Sequence, residues 1–358
     1  MRSATEWVAS LSPWPEEFGL GRMRALLAAV GEPQRTYPAI HVVGTNGKST
    51  TARRAAAFLG RDGLSVGAYT SPHVSGWSER IQVDGHDVDF EAAVARVRSA
   101  AQRVGATQFE ALTAAALAEF AAAGVDVAVV EAGLGGRLDA TNVLDARVVA
   151  LTNVSLDHVD VLGATREAIA REKLAVVSPG ATVVLGEREW EVLAREHEPA
   201  RIVDAEDVAR AAAEAFLGRA VAGDVDVRLP GRFDLIGDDV YAGAHNPAGV
   251  EWLVERLPGA EYVVCAAILA DKDVSAMLAT LRRAGSRFVA TQTETQRSLD
   301  AEELAERARE FFAAVESVAD ATDAVARARE LAGPEGAVLV TGSLYLLRDL
   351  AAAVETVR

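Results

Sequence analysis

From residue 38 onward, short runs of β-branched residues alternate with Ala-rich stretches whose apolar positions recur at helical spacing. This is the signature of βαβ units and a mostly parallel sheet. The pattern predicts strands over 39–43, 65–69, 125–131, 148–152 and 182–185, with helices over 49–61, 90–103, 108–123 and 165–176. A second series follows Leu229-Pro230-Gly231. It predicts strands near 262–265, 287–290 and 337–340, alternating with helices over 247–256, 274–283, 300–314 and 323–331. The Pro-Gly pair, after the weakly periodic residues 218–228, marks the best boundary. It implies an N-terminal domain over 1–222 and a smaller C-terminal domain over 229–358.

Length agrees with two domains, since 358 residues divide into about two at roughly 150 residues each. A net charge of -16, with no concentrated basic run, argues against nucleic acid and anionic lipid as partners. The one cysteine, Cys265, lies in an apolar stretch and cannot form an intrachain disulfide. With no apolar window long enough to span a bilayer, a cytoplasmic protein is expected.

Lysine is rare. The chain has 33 Arg but only Lys48, Lys173 and Lys272, so the surviving ammonium groups stand out as candidates for chemistry a guanidinium cannot perform. The sharpest motif is Ile40-His-Val-Val-Gly-Thr-Asn-Gly-Lys-Ser-Thr, a strand running through a glycine turn into a helix. Gly44, Thr45, Asn46 and Gly47 would bring backbone N–H groups to a phosphate. Lys48 would neutralise its charge, and Ser49 could ligate Mg²⁺. The first glycine of the strict phosphate-loop spacing is replaced by Val42.

Further polar clusters fall just beyond predicted strands, where open α/β sheets bind ligands. They are Thr70-Ser71-Pro-His, the glycine-rich run from Glu131 through Arg137 and Asp139 to Asn142, and Asn153-Val-Ser-Leu-Asp157-His158. Glu110 opens an apolar helix, where a carboxylate serves either the helix dipole or a hard metal. Arg171-Glu172-Lys173 lies on a later helix.

Taken in order, HVVGTNGKST, TSPHV, ERIQV, FEALT, GLGGRLDATNV, LDH, REK, PGRF, GAHNP and ADKD resemble the folylpolyglutamate synthase/dihydrofolate synthase family within the Mur-ligase superfamily. The resemblance implies an N-terminal phosphate-loop ATPase domain and a C-terminal Rossmann-like domain. It implies ATP-dependent joining of L-glutamate to a folate, or to dihydropteroate, through an acyl phosphate. It further implies that Lys48 and residues 44–49 hold the ATP phosphates, and that Ser71, Glu110 and His158 join Ser49 around Mg²⁺. Lys173 would carry a carbamate as a further metal ligand, Arg232 and His245 would reach ATP, and Ser343 would lie near the incoming glutamate. Alternatives are a Mur-like ligase for another carboxylate and amino acid, or a homologue that binds folate or nucleotide without turnover. The chain departs from the family pattern in that Ala242 replaces an Asp that contacts ribose, the interval between Ser178 and His245 is shorter and holds no Asn, and Pro13-Trp-Pro-Glu-Glu replaces the loop before Gly19 that helps hold dihydropteroate.

Overall fold

A computed structural model describes residues 2–259 and 261–357. The chain divides into two compact units, residues 1–72 with 77–227, and residues 73–76 with 228–358. The short excursion 73–76 therefore groups with the second unit, an arrangement no single cut along the chain can express.

The first unit is built on eight strands: β1 (Ala39–Val43), β2 (Val66–Tyr69), β3 (Ile81–Val83), β4 (His86–Asp87), β5 (Val127–Glu131), β6 (Ala146–Leu151), β7 (Thr182–Leu185) and β8 (Arg201–Asp204). They pair in the order β4-β3-β2-β5-β1-β6-β7-β8. The six strands from β2 to β8 in that order run parallel, and β3 and β4 form an antiparallel edge. Strand β1 is buried along its whole length, as expected of a central strand covered on both faces. Its alternate side chains go to opposite layers. Ile40 and Val42 join the layer of the Lys48–Arg61 and Val208–Leu217 helices, whereas Ala39 and Val43 join that of the Phe90–Val104 and Gln108–Ala123 helices.

The second unit adds β9 (Arg232–Ile236), β10 (Asp239–Ala242), β11 (Tyr262–Ala266), β12 (Arg287–Ala290), β13 (Ala314–Ser317) and β14 (Ala337–Thr341), in the order β13-β12-β11-β14-β10-β9. Only β9 is antiparallel, so this sheet too is mostly parallel. The helix expected over 300–314 ends earlier, at Ala308, and residues 314–317 form the edge strand β13 paired with β12. Its Ala and Glu carry no strong strand preference, so the backbone partner decides the conformation. The β9–β10 hairpin, absent from the predicted elements, likewise forms by pairing with β14.

Candidate active site

The chemistry-bearing residues of the first unit gather at the carboxyl ends of β1, β2, β5 and β6. Beyond β1, residues 44–47 turn into the Lys48–Arg61 helix, with Gly47 at its N-cap. The turn is anchored to the segment after β6. Thr45 donates its N–H to the Asn153 carbonyl at 2.9 Å, Asn46 donates its N–H to Asn153 Oδ1 at 3.0 Å, and Thr152 Oγ1 donates to the Asn46 carbonyl at 2.7 Å. Lys48 Nζ donates to the Thr45 carbonyl at 3.0 Å, which holds the ammonium against the turn.

Gly44 cannot be replaced without moving this anchor, since a Cβ there would lie 1.8 Å from Thr152 Oγ1. Gly44→Ala is therefore expected to destabilise the protein by about 1–3 kcal/mol and to weaken nucleotide binding at least about tenfold, because the Thr152–Asn46 bond must break. Melting curves and ATP calorimetry check this. Unchanged ATP affinity would show that the turn is not the phosphate cradle.

Ser49, at the start of the same helix, is buried and donates to Glu131 Oε1 at 3.1 Å and, more weakly, to the Ser71 carbonyl at 3.4 Å. Glu131 ends β5, and its Oε2 accepts the Ser71 N–H at 2.9 Å. Ser49, Ser71 and Glu131 thus bring hydroxyl, carbonyl and carboxylate oxygens together, the donor chemistry that Mg²⁺ prefers. No group of three or more His, Cys, Asp or Glu side chains placed to hold a metal occurs among the described residues.

The expected ligand Glu110 is placed elsewhere. It is the N3 residue of the Gln108–Ala123 helix, where a capping box joins it to Thr107. Its Oε2 accepts from the Thr107 N–H and hydroxyl, each at 2.8 Å, and from Arg22 Nε at 2.8 Å. Of the two roles its position allows, the structure realises the helix-terminal one. The carboxylate beside Ser49 and Ser71 is that of Glu131. The two carboxylates are separable by mutation. Glu110→Ala is expected to cost about 1–2 kcal/mol of stability through the lost cap, while Glu131→Gln raises the cation requirement of turnover with little change in melting. A metal response lost in the Glu110 variant alone would restore the original assignment.

Lys173, on the Arg166–Leu174 helix, is buried and donates to the Gly44 carbonyl at 2.8 Å. Burial, followed by the nearby Lys48 ammonium, pushes its pKa down to about 7, against the opposing pull of Asp157 and Asp139. Its neutral amine is thus accessible near pH 7, the form that adds CO₂. His158 follows the segment anchored to the turn over residues 44–47, at the N-cap of the short Val159–Leu162 helix, with Nε2 3.9 Å from Asp157 Oδ1.

In the second unit, Arg232 starts β9, and His245 follows β10 with Nδ1 2.9 Å from the Gly243 carbonyl. Asn246 caps the Pro247–Val254 helix by accepting the Gly249 N–H at 2.8 Å. Ser343 follows β14 and is buried, its Oγ accepting the Tyr345 N–H at 3.1 Å. Lys272 follows β11 and lies 3.4 Å from Asp271. Ala242 is buried in the apolar cluster that contains Val240 and Val250.

Glu131 is the residue that sequence reasoning passed over, although it heads one of the recognised motifs. The available signal was a lone acid ending a β-branched strand, a position that faces the ligand edge of a parallel sheet.

A parallel sheet with a phosphate-type turn, followed by a second α/β unit, is the architecture of a Mur ligase. Residues 42–202 match the Mur ligase middle domain, and residues 231–344 match the glutamate ligase domain. The chain is 33% identical to the dihydrofolate synthase/folylpolyglutamate synthase of Mycobacterium tuberculosis, covering 84% of this chain and 80% of that protein. A solved structure of Mycobacterium tuberculosis folylpolyglutamate synthase complexed with ADP superposes with a TM-score of 0.89 at 29% identity, covering 98% of this chain and 96% of that one. The bifunctional synthase from Yersinia pestis, solved with Mn, AMPPNP and L-glutamate bound, gives a TM-score of 0.86 at 29% identity, covering 99% and 98%. The chain belongs to the folylpolyglutamate synthase/dihydrofolate synthase family.

Proposed function

We propose that this chain is an ATP-dependent acid–amino-acid ligase that adds L-glutamate to a folate, with dihydropteroate as a second acceptor. Beyond family membership, one observation carries the reading: the buried Lys173 amine, 2.8 Å from the Gly44 carbonyl, lies on the same sheet edge as the Ser49–Glu131 pair. An ordinary nucleotide-binding turn has no need of a second, buried lysine against it.

The substrate carboxylate attacks the γ-phosphorus of ATP, giving an acyl phosphate and ADP. The glutamate amine then attacks the acyl carbon, expels inorganic phosphate, and loses a proton as the amide forms. Lys48 and the N–H groups at the start of the Lys48–Arg61 helix offset charge on the transferring phosphoryl oxygens, whereas the Thr45 and Asn46 N–H groups, expected to face phosphate, are held by Asn153. A divalent cation, when bound, supplies further positive charge to those oxygens. Ser49, Ser71, Glu131, His158 and Lys173 as its carbamate would hold it. Arg232 and His245 serve ATP, and Ser343 serves the glutamate side. Residues 1–222 carry the phosphate, metal and folate functions, and residues 229–358 carry the glutamate function and add Arg232 and His245 toward ATP.

A protein with one buried cysteine, and with no helix among the described residues long and apolar enough to cross a membrane, suits the cytoplasm. The deciding experiment measures phosphate release with tetrahydrofolate or dihydropteroate, with and without glutamate. Glutamate-dependent release with either acceptor supports the reading. Release that requires a different amino acid points to another Mur-type ligase, and no release with any pair removes the ligase reading.

A further inference from the structure

A polar chain crosses the otherwise apolar layer beneath residues 132–142. His41, on β1, shares its face with Ala39 and Val43 and is completely buried. Its Nε2 lies 2.8 Å from Thr141 Oγ1. Thr141 in turn donates both its hydroxyl and, at 3.0 Å, its N–H to Asp139 Oδ1. Asp139 Oδ2 accepts the Leu134 N–H at 2.7 Å, so this carboxylate closes the loop on itself.

The direction of the chain follows from hydrogen counting with Asp139 ionised, the state its bonds from Thr141 and the Leu134 N–H favour against the burial that pushes its pKa up. Thr141 has one hydroxyl hydrogen and gives it to that carboxylate, so toward His41 it accepts. His41 is therefore the Nε2–H tautomer, and its unprotonated Nδ1 is buried without a hydrogen-bond partner. Burial alone drives the imidazole pKa down to about 4, which keeps the ring neutral. An apolar side chain would avoid the cost of that orphaned nitrogen. What histidine contributes here is the Nε2 donor.

The loop that Asp139 closes lies directly on the helix bearing Lys173. Arg137 donates its N–H to the Glu172 carbonyl at 3.0 Å. Gly136 is so close that a Cβ there would fall 2.6 Å from the Glu172 carbonyl oxygen and 2.8 Å from that of Lys173. Lys173 Nζ then returns to the carbonyl of Gly44, three residues after His41. The contacts form a closed circuit from β1 through the loop and helix and back to the end of β1.

We infer that His41 is a positioning residue: through Thr141 and Asp139 it fixes the loop on which the Lys173 helix rests, and so sets Lys173 against the phosphate turn. The kinetic part of this inference rests on the ligase reading, and its exchange and spectroscopic parts do not.

Thr141→Val removes the hydroxyl at nearly constant shape, and Thr141→Ser keeps it. In hydrogen exchange on the substrate-free protein, Thr141→Val should speed exchange at least about tenfold in both 132–142 and 166–174, while Thr141→Ser exchanges like wild type. Thr141→Ala serves where the valine variant does not fold. The ¹⁵N spectrum of His41 should show the neutral Nε2–H tautomer, unchanged from pH 6 to 8. In turnover, Thr141→Val and His41→Leu should lose about tenfold or more in kcat, the scale seen when a supporting partner of an active group is removed. Their Kd for ATP should stay within about threefold of wild type. Exchange confined to 132–142, a titrating or Nδ1–H imidazole, an impaired serine variant, or full kcat in the valine variant would each overturn the inference. A wild type without glutamate-dependent phosphate release would instead refute the ligase reading, while exchange and spectrum still decide the role of His41.

Discussion

Lys48→Ala is expected to lower kcat by at least about 10²-fold, the scale set by removing one preorganised electrostatic donor from a phosphoryl-transfer site. Lys48 begins its helix and spends its ammonium on a single loop carbonyl, Thr45 at 3.0 Å. That bond is replaceable by water, so the fold should survive the substitution. The loss should appear in kcat more than in the melting temperature. Steady-state kinetics beside a melting curve separate the two, and activity within a few-fold of wild type would remove Lys48 from the phosphate chemistry. One secondary effect is expected at Lys173, whose amine is disfavoured as a cation partly by Lys48. Removing the neighbouring charge should raise the Lys173 pKa.

Lys173→Arg should be as damaging as Lys173→Ala, again at least about 10²-fold in kcat. Arginine retains positive charge and a long stem, yet it cannot be neutral near pH 7 and cannot form a carbamate. The lysine amine is held down to about 7, so its neutral fraction rises as pH increases through that value and falls below it. Enzyme stripped of CO₂ should accordingly regain activity on bicarbonate addition faster at pH 8 than at pH 6. Mass spectrometry or ¹³C NMR under labelled CO₂ detects the adduct directly, and short carboxylates are expected to restore part of the alanine variant's activity. Full ligase activity in Lys173→Arg would defeat both the carbamate and the metal-ligand role. The buried position sharpens the test, because a guanidinium near Gly44 must also be desolvated. A melting curve is therefore read alongside, and Lys173→Gln, which carries no charge, distinguishes lost chemistry from an unfavourable buried cation.

The amino-acid sequence by itself determined the parallel α/β class and the run from strand through glycine turn into helix over residues 39–61. Strands 39–43, 182–185 and 287–290 were legible to the residue because each is a short apolar or β-branched run bounded by turn residues. The scarcity of lysine singled out Lys48 and Lys173 before any geometry was known. Tertiary structure decided what periodicity cannot encode. The strand over 314–317 and the β9–β10 hairpin exist because neighbouring strands supply backbone partners, against a sequence that favours helix or nothing. Which acid faces Ser49 was also a tertiary matter. Glu110 and Glu131 are both buried acids beside glycine or helix signals, but Arg22, distant in sequence, takes the first, while the end of β5 aims the second at Ser49 and Ser71. His41 read as part of an apolar strand, and only folding brings Thr141 and Asp139 beneath it. A hydrogen-bond partner 100 residues away leaves no trace in local pattern, since spacing along the chain reports faces and turns but not which distant polar group will meet a given side chain.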